Sequence, residues 1–326
     1  MSALKFRKSR TVSTAQSVTS TRVWRRAWAV LVYGACYLAA LAALSTQPGF
    51  SLAEPLFVLA LLGVAFPLLA MVLTRNAAMP GARRPISGAE GFSVLAYLAV
   101  FAVAVLGFGF SAINTTWPGE PAQSAVKLGV KLLTMVALPV ALLALFGHRW
   151  RETLAPAWRW DRHGRALVGL GLALLAFQAV FGRGLQTLSA LDPSLVTLAW
   201  AIPLCLAWQT LEAGLCEEVL FRAVLQTRLA ALLKSDLAAV CIGALLFGLA
   251  HAPGLYLRGA SLMEGADAHP TLLWSVAYSI AIVSPAGLLF GVLWSRTRSL
   301  ALVVVLHGLT DTLPGLPPFI EMWTQP

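Results

Sequence analysis

The chain alternates long apolar runs with short polar connections. The runs lie near Ala27–Leu44, Leu52–Leu73, Phe92–Ile113, Leu128–Phe146, Ala166–Gly182, Leu195–Arg222, Leu237–Leu255, Leu272–Trp294 and Leu300–Leu313. About 20 residues of helix, rising 1.5 Å each, cross the hydrocarbon layer of a bilayer. The pattern therefore predicts an all-α, polytopic transmembrane helix bundle of about eight or nine spans. The sixth run is long enough to be kinked or to form two helices, with Pro203 and Gly214 as break points, and the ninth is short and ends at Pro314.

Composition agrees with a lipid environment. Hydrophobic residues make up 58% of the 326 residues and charged residues only 12%, about half the share usual in soluble domains. The net charge of +10 comes from basic residues clustered between apolar runs. That placement fits anionic lipid headgroups and not a nucleic-acid partner, because no basic stripe sits on a soluble fold. Cys36, Cys205, Cys216 and Cys241 lie in or beside apolar runs without a CxxC pair, so they read as small buried residues.

Charge also orients the spans. Lys and Arg accumulate before the first run, as Lys5, Arg7, Lys8, Arg10, Arg22, Arg25 and Arg26, and in alternate connections through Arg296 and Arg298. The remaining connections hold few, Arg183 and Arg258 among them. A nine-span arrangement with the N-terminus in the cytoplasm and the C-terminus outside sorts nearly all of them to one face. Residues 1–26 read as a basic, disordered cytoplasmic segment; the first run is too long for a signal-peptide core and reads as an uncleaved span. Residues 27–182 form N-terminal spans without an assigned role, 194–313 a core carrying the chemistry, and 314–326 a tail. Gly287 and Gly291 form a GxxxG pair expected to pack closely on a neighbour.

Ionisable residues at membrane depth are costly and mark function. They are expected in the last third of the chain, with the first half free of buried charge. In Glu217-Glu218-Val219-Leu220-Phe221-Arg222, Glu218 and Arg222 share a helical face and can pair, leaving Glu217 aimed elsewhere. In Phe247-Gly248-Leu249-Ala250-His251, the histidine falls near the middle of a run. His307 and Asp311 lie four apart on one face, so the acid can orient the imidazole or both can bind a metal. Each motif alone also fits a packing or hydrogen-bonding role. Depth arithmetic lets Glu217, His251 and His307 meet inside the bilayer, with His251 about 20 Å and His307 about 10 Å from the same surface.

These three motifs, EExxxR, FxxxH and HxxxD in order on successive membrane helices, resemble the CPBP family, the Abi and CAAX prenyl protease 2-like intramembrane proteases. The resemblance covers roughly Ser194 to Leu313. It implies hydrolysis of a peptide bond in a membrane-embedded or lipidated protein substrate. It implies Glu217 and His251 as activators of the attacking water, His307 and Asp311 as oxyanion or metal ligands, and Glu218, Arg222 and Phe247 as structural support. The family has been described both as metal-dependent and as metal-free and glutamate-based, so a divalent metal such as zinc on Glu217, His251 and His307 stays open. Asp311 stands where an amide also occurs, and an ionised carboxylate only accepts hydrogen bonds; orientation of His307 is the expected role. HExxH, GxGD and GxSG are absent, and Ser261 falls in an expected outside loop. An ion- or proton-coupled transporter and a catalytically silent immunity or scaffold protein are the alternatives. The expected location is the bacterial inner (plasma) membrane.

Overall fold

A computed structural model describes residues 28–47, 49–77, 86–117, 119–154, 158–258 and 270–324. The basic segment 1–26, Arg83, Arg84 and Ser261 lie outside the described residues. All the regular structure described is helical. Nine apolar helices carry it: α1 Trp28–Leu44, α2 Ala53–Leu73, α3 Gly88–Thr116, α4 Ala122–Leu145, α5 Trp160–Phe181, α6 Leu195–Leu232, α7 Asp236–Leu257, α8 Leu272–Thr297 and α9 Leu300–Thr324. Among the described residues, α2 to α9 are eight helices long and apolar enough to cross a membrane; α1 is shorter. Leu145, Leu195 and Val196 are 83%, 85% and 76% exposed, tolerable only where lipid and not water is the solvent.

Local chemistry sets the helix starts. Ser87, Ser194, Ser235 and Thr271 cap α3, α6, α7 and α8, each side chain accepting from the backbone N–H three residues on. Several helices contain π-helical stretches. Those of α2, α4 and α8 are each followed by a proline, Pro67, Pro139 and Pro285, at the second position beyond. A proline supplies no N–H, so the ladder beside it must be rearranged.

Of the two options for the sixth run, the structure takes the single helix, continuous from Leu195 to Leu232 across Pro203 and Gly214, and one expectation is corrected. The ninth does not stop at Pro314: α9 runs to Thr324 with Pro314, Pro317 and Pro318 inside it. Gly214 is not a hinge but a contact point. A Cβ there would lie 2.5 Å from the Val304 carbonyl oxygen, and one on Gly308 would lie 2.5 Å from Thr210 Cα. These two glycines let α6 and α9 approach backbone to backbone. The GxxxG pair does the same for α8 on α7, where a Cβ on Gly287 would meet Ala244 Cα at 2.8 Å.

The most apolar stretches of α7, α8 and α9 are 56%, 61% and 56% buried, against 17–28% for α2 to α5. The C-terminal helices thus form the interior around the Val219–Gln226 stretch of α6, whose residues are all buried. Helices α2 to α5 flank that interior with lipid-facing sides of their own.

Candidate active site

Glu217 and Glu218 occupy a three-residue α-helical stretch, Cys216–Glu218, between two π-helical stretches of α6, Thr210–Leu215 and Val219–Gln226. Neighbouring helical residues diverge by about 100°, and the two acids face different surroundings. Glu218, fully buried, points at α9 and at its own helix: Oε2 is 3.2 Å from Arg222 Nε, and Oε1 is 2.7 Å from His307 Nδ1. The ion pair with Arg222 follows the four-residue spacing. The bond to His307 does not, because it depends on where α9 crosses α6. Arg222 is 1% exposed and its guanidinium lies 4.5 Å from the Phe247 ring centroid, a cation–π contact. Phe290 of α8 stacks flat on His307, centroids 4.7 Å apart at 10°. No motif singled out Phe290.

His251 is not inside an unbroken helix, as its apolar run implied. It occupies a turn between Asp236–Leu249 and Ala252–Arg258. Its Nδ1 is 2.9 Å from the Phe247 carbonyl oxygen. A carbonyl only accepts, so Nδ1 carries the proton and, in the neutral ring, Nε2 is the bare acceptor. That Nε2 faces Glu217 Oε2 at 3.8 Å. His307 Nε2 faces the same oxygen, also at 3.8 Å, and Asp311 Oδ2 at 3.3 Å. Glu217 Oε2 is buried and makes no hydrogen bond. The structure therefore brings Glu217, His251, His307 and Asp311 together. The gaps around Glu217 exceed a hydrogen bond and are of the size one water bridges.

The site opens on a cavity of about 190 Å³. Glu217, Phe221 and His251 form its floor, and Gly254 and Leu257 line it from α7. The other walls come from α3, including Phe101, Phe110 and Asn114, and from α4, including Lys127, Lys131 and Met135. Lys131 pairs with Glu212, and their side chains are only 17% and 23% exposed. The expectation that the first half of the chain holds no buried charge is thus overturned. Lys131 lies within the fourth apolar run, and Glu90 on α3, 3% exposed, binds Arg228 at 2.9 Å. The signal was present in the sequence as a lysine at the fourth position of the run Leu128–Phe146, and it was outweighed by the apolar residues around it.

A divalent metal was expected as an option on Glu217, His251 and His307. His307 turns Nδ1 to Glu218 at 2.7 Å, which leaves Nε2 facing the site, between Asp311 Oδ2 at 3.3 Å and Glu217 Oε2 at 3.8 Å. Among the described residues, no group of three or more His, Cys, Asp or Glu is arranged to hold a metal ion.

Residues 198–313 match the Rce1-like family, described as type II CAAX prenyl endopeptidase. This segment contains α7 and α8, nearly all of α6 and the first part of α9, with all four clustered side chains. It supports a protease acting on a membrane-associated protein, on an integral membrane scaffold. Helices α1 to α5 lie outside the Rce1-like segment, although α3 and α4 wall its cavity. No curated protein and no solved structure matches the chain.

Proposed function

We propose that the protein is an intramembrane endopeptidase in which Glu217 and His251 activate a water. The observation that carries the reading is the meeting of two bare acceptors, Glu217 Oε2 and His251 Nε2, 3.8 Å apart. Two acceptors attract each other only through a donor between them, and water has two O–H groups to give. A water donating to both has its lone pairs turned toward the cavity. Its oxygen attacks the substrate carbonyl carbon while Glu217 takes the proton. The carbonyl π pair moves to oxygen and forms the tetrahedral oxyanion. When the C–N bond breaks, Glu217 returns the proton to the leaving amine, giving a free carboxylate and an amine.

His307 supplies the oxyanion contact. Its two nitrogens face carboxylates, and only the doubly protonated ring donates from both. Glu218 fixes Nδ1, so Nε2–H points to the space beside Glu217. Asp311, on that same nitrogen, holds the ring's charge and orientation. Phe290 and the Glu218–Arg222 pair clamp the ring from the other sides. The substrate is a membrane-embedded or lipidated protein of the CAAX type, cut in the plasma membrane, and the reaction proceeds without a metal.

The test is cleavage of an internally quenched farnesylated CAAX peptide by protein in nanodiscs. Glu217→Gln is expected to lower kcat by about 10²- to 10⁴-fold, the worth of a general base. Wild-type rates in that variant would remove the proposed base.

A further inference from the structure

Lys131 is an expensive residue where it stands. It lies three residues into the apolar run that starts at Leu128, with its side chain only 17% exposed, and an ammonium withdrawn from water is costly unless paired. Its positive charge is balanced by Glu212 of α6. Glu212 and Glu217 are five residues apart across the π-helical stretch Thr210–Leu215, and both line the cavity. The Leu132–Ala137 stretch of α4 packs on Cys216–Glu218, which keeps Lys131 beside the site. An ammonium has three N–H donors. Glu212 is the one hydrogen-bond partner of Lys131 among the described residues, so two donors remain for the cavity.

Resting on the endopeptidase reading, we propose that Lys131 is a substrate-binding residue that takes the free carboxylate at the C-terminus of the peptide. Three observations favour a chain end over a long peptide. The cavity, at about 190 Å³, is smaller than the roughly 300–1,000 Å³ of usual ligand pockets, room for a few residues and not for a long peptide. Its other walls combine apolar side chains, Phe101, Phe110 and Met135 among them, with Asn114 and Lys127, which suits a short, mostly apolar tail that ends in a charged group. The group carrying negative charge in every such tail, whatever its side chains, is the terminal carboxylate. Glu212 holds the ammonium in place while the cavity is empty and shares it when the tail binds. Helix α4, outside the Rce1-like segment, thereby sets how far from its C-terminus a substrate is cut.

The experiment compares three farnesylated CAAX peptides: a free acid, its C-terminal amide, and an amide whose last residue is glutamate. Wild-type protein is expected to cleave the free acid with kcat/KM at least tenfold above either amide, chiefly through KM. The acid-to-amide ratio should fall to near one in Lys131→Met/Glu212→Gln, which removes both charges together, and survive in Lys131→Arg. Equal cleavage of acid and amide, or a ratio that persists in the double variant, overturns the proposal, as does equal treatment of acid and glutamate amide. The same peptides are then bound to Glu217→Gln, without turnover. Acid binding at least tenfold tighter than amide, lost on adding Lys131→Met/Glu212→Gln, supports the subsite even if no peptide is cut. Equal binding overturns it. Failure of the protease reading shows separately, as cleavage that does not depend on Glu217.

Discussion

Removing one carboxylate should separate what holds the core together from what makes it act. Glu218 and Arg222 are 0% and 1% exposed, and their 3.2 Å ion pair lies in a helix surrounded by other helices. Glu218→Gln leaves the Arg222 guanidinium buried beside aromatic rings without a counter-charge. Breaking a buried pair from one side costs about 3–5 kcal/mol. The same carboxylate also accepts from His307, but the two losses share one group and do not simply add. Against a total stability of roughly 5–15 kcal/mol, the variant is expected to melt several degrees lower. Replacing both partners, as Glu218→Leu/Arg222→Met, removes the stranded charge, and stability should recover in part, short of wild type by the about 1–3 kcal/mol of an unsatisfied buried donor at His307. Activity should not return, because His307 Nδ1 still lacks its acceptor. Loss of an orienting carboxylate predicts a deficit between roughly 10²- and 10⁴-fold. Cys205, Cys216 and Cys241 are buried and free, so a thiol-reactive dye in mild detergent reports unfolding directly. A single variant melting within about 1 °C of wild type, or a double variant as unstable as the single, would refute the reasoning, since the buried-pair penalty is several kcal/mol.

Other perturbations probe the packing and the chemistry independently. Exhaustive chelation of the purified protein is expected to leave Glu217-dependent cleavage unchanged; loss that added zinc restores would reject the metal-free mechanism. Gly308→Ala places a Cβ 2.5 Å from Thr210 Cα, so overpacking of about 1–3 kcal/mol and a displaced His307 should reduce both melting temperature and kcat, whereas Gly243→Ala, with nothing within 4 Å, should change neither. Glu90→Gln strips the buried Arg228 of its 2.9 Å partner and His148 of a 3.0 Å contact, and by the same buried-charge penalty is expected to lower stability by about 3 kcal/mol or more, read by the thiol-dye melt.

Spans were legible because lipid imposes one rule on every helix: about 20 apolar residues in a row. The runs at Leu52–Leu73 and Leu272–Trp294 became helices near those limits, whereas the run Leu195–Arg222 continued as helix to Leu232. Helix ends were legible only where the usual punctuation applied. Pro314 reads as a stop, yet α9 carries three prolines inside it, since neighbouring groups can satisfy the carbonyls a proline frees in a membrane helix. The site residues were legible as exceptions to the apolar rule, and their local spacings foretold the Glu218–Arg222 pair. What spacing could not supply was anything across helices. The bond from Glu218 to His307, the ring of Phe290 beneath it, and the wall that α3 and α4 lend the cavity all arise from crossings fixed by Gly214 and Gly308 and by the packing of α4 on α6.

The pattern of satisfied and unsatisfied charge singles out where chemistry should occur. Ionised groups in a low-dielectric interior must be partnered, and nearly all of them here are. Lys131 has Glu212, Arg222 has Glu218, Arg228 has Glu90, and His307 lies between Glu218 and Asp311. Glu217 differs in what surrounds it. Its Oε2, like that of Glu218, is buried without a hydrogen bond, but its nearest charged neighbours are two imidazole nitrogens held at 3.8 Å, just beyond bonding distance. A fold that partners every neighbouring charge and keeps this carboxylate short of contact preserves a space that direct pairing would close. Both histidines are tethered through Nδ1, to Phe247 and to Glu218, so neither can swing in to fill it. The tethers therefore do two jobs, fixing the rings and keeping the gap open for the water that the mechanism requires.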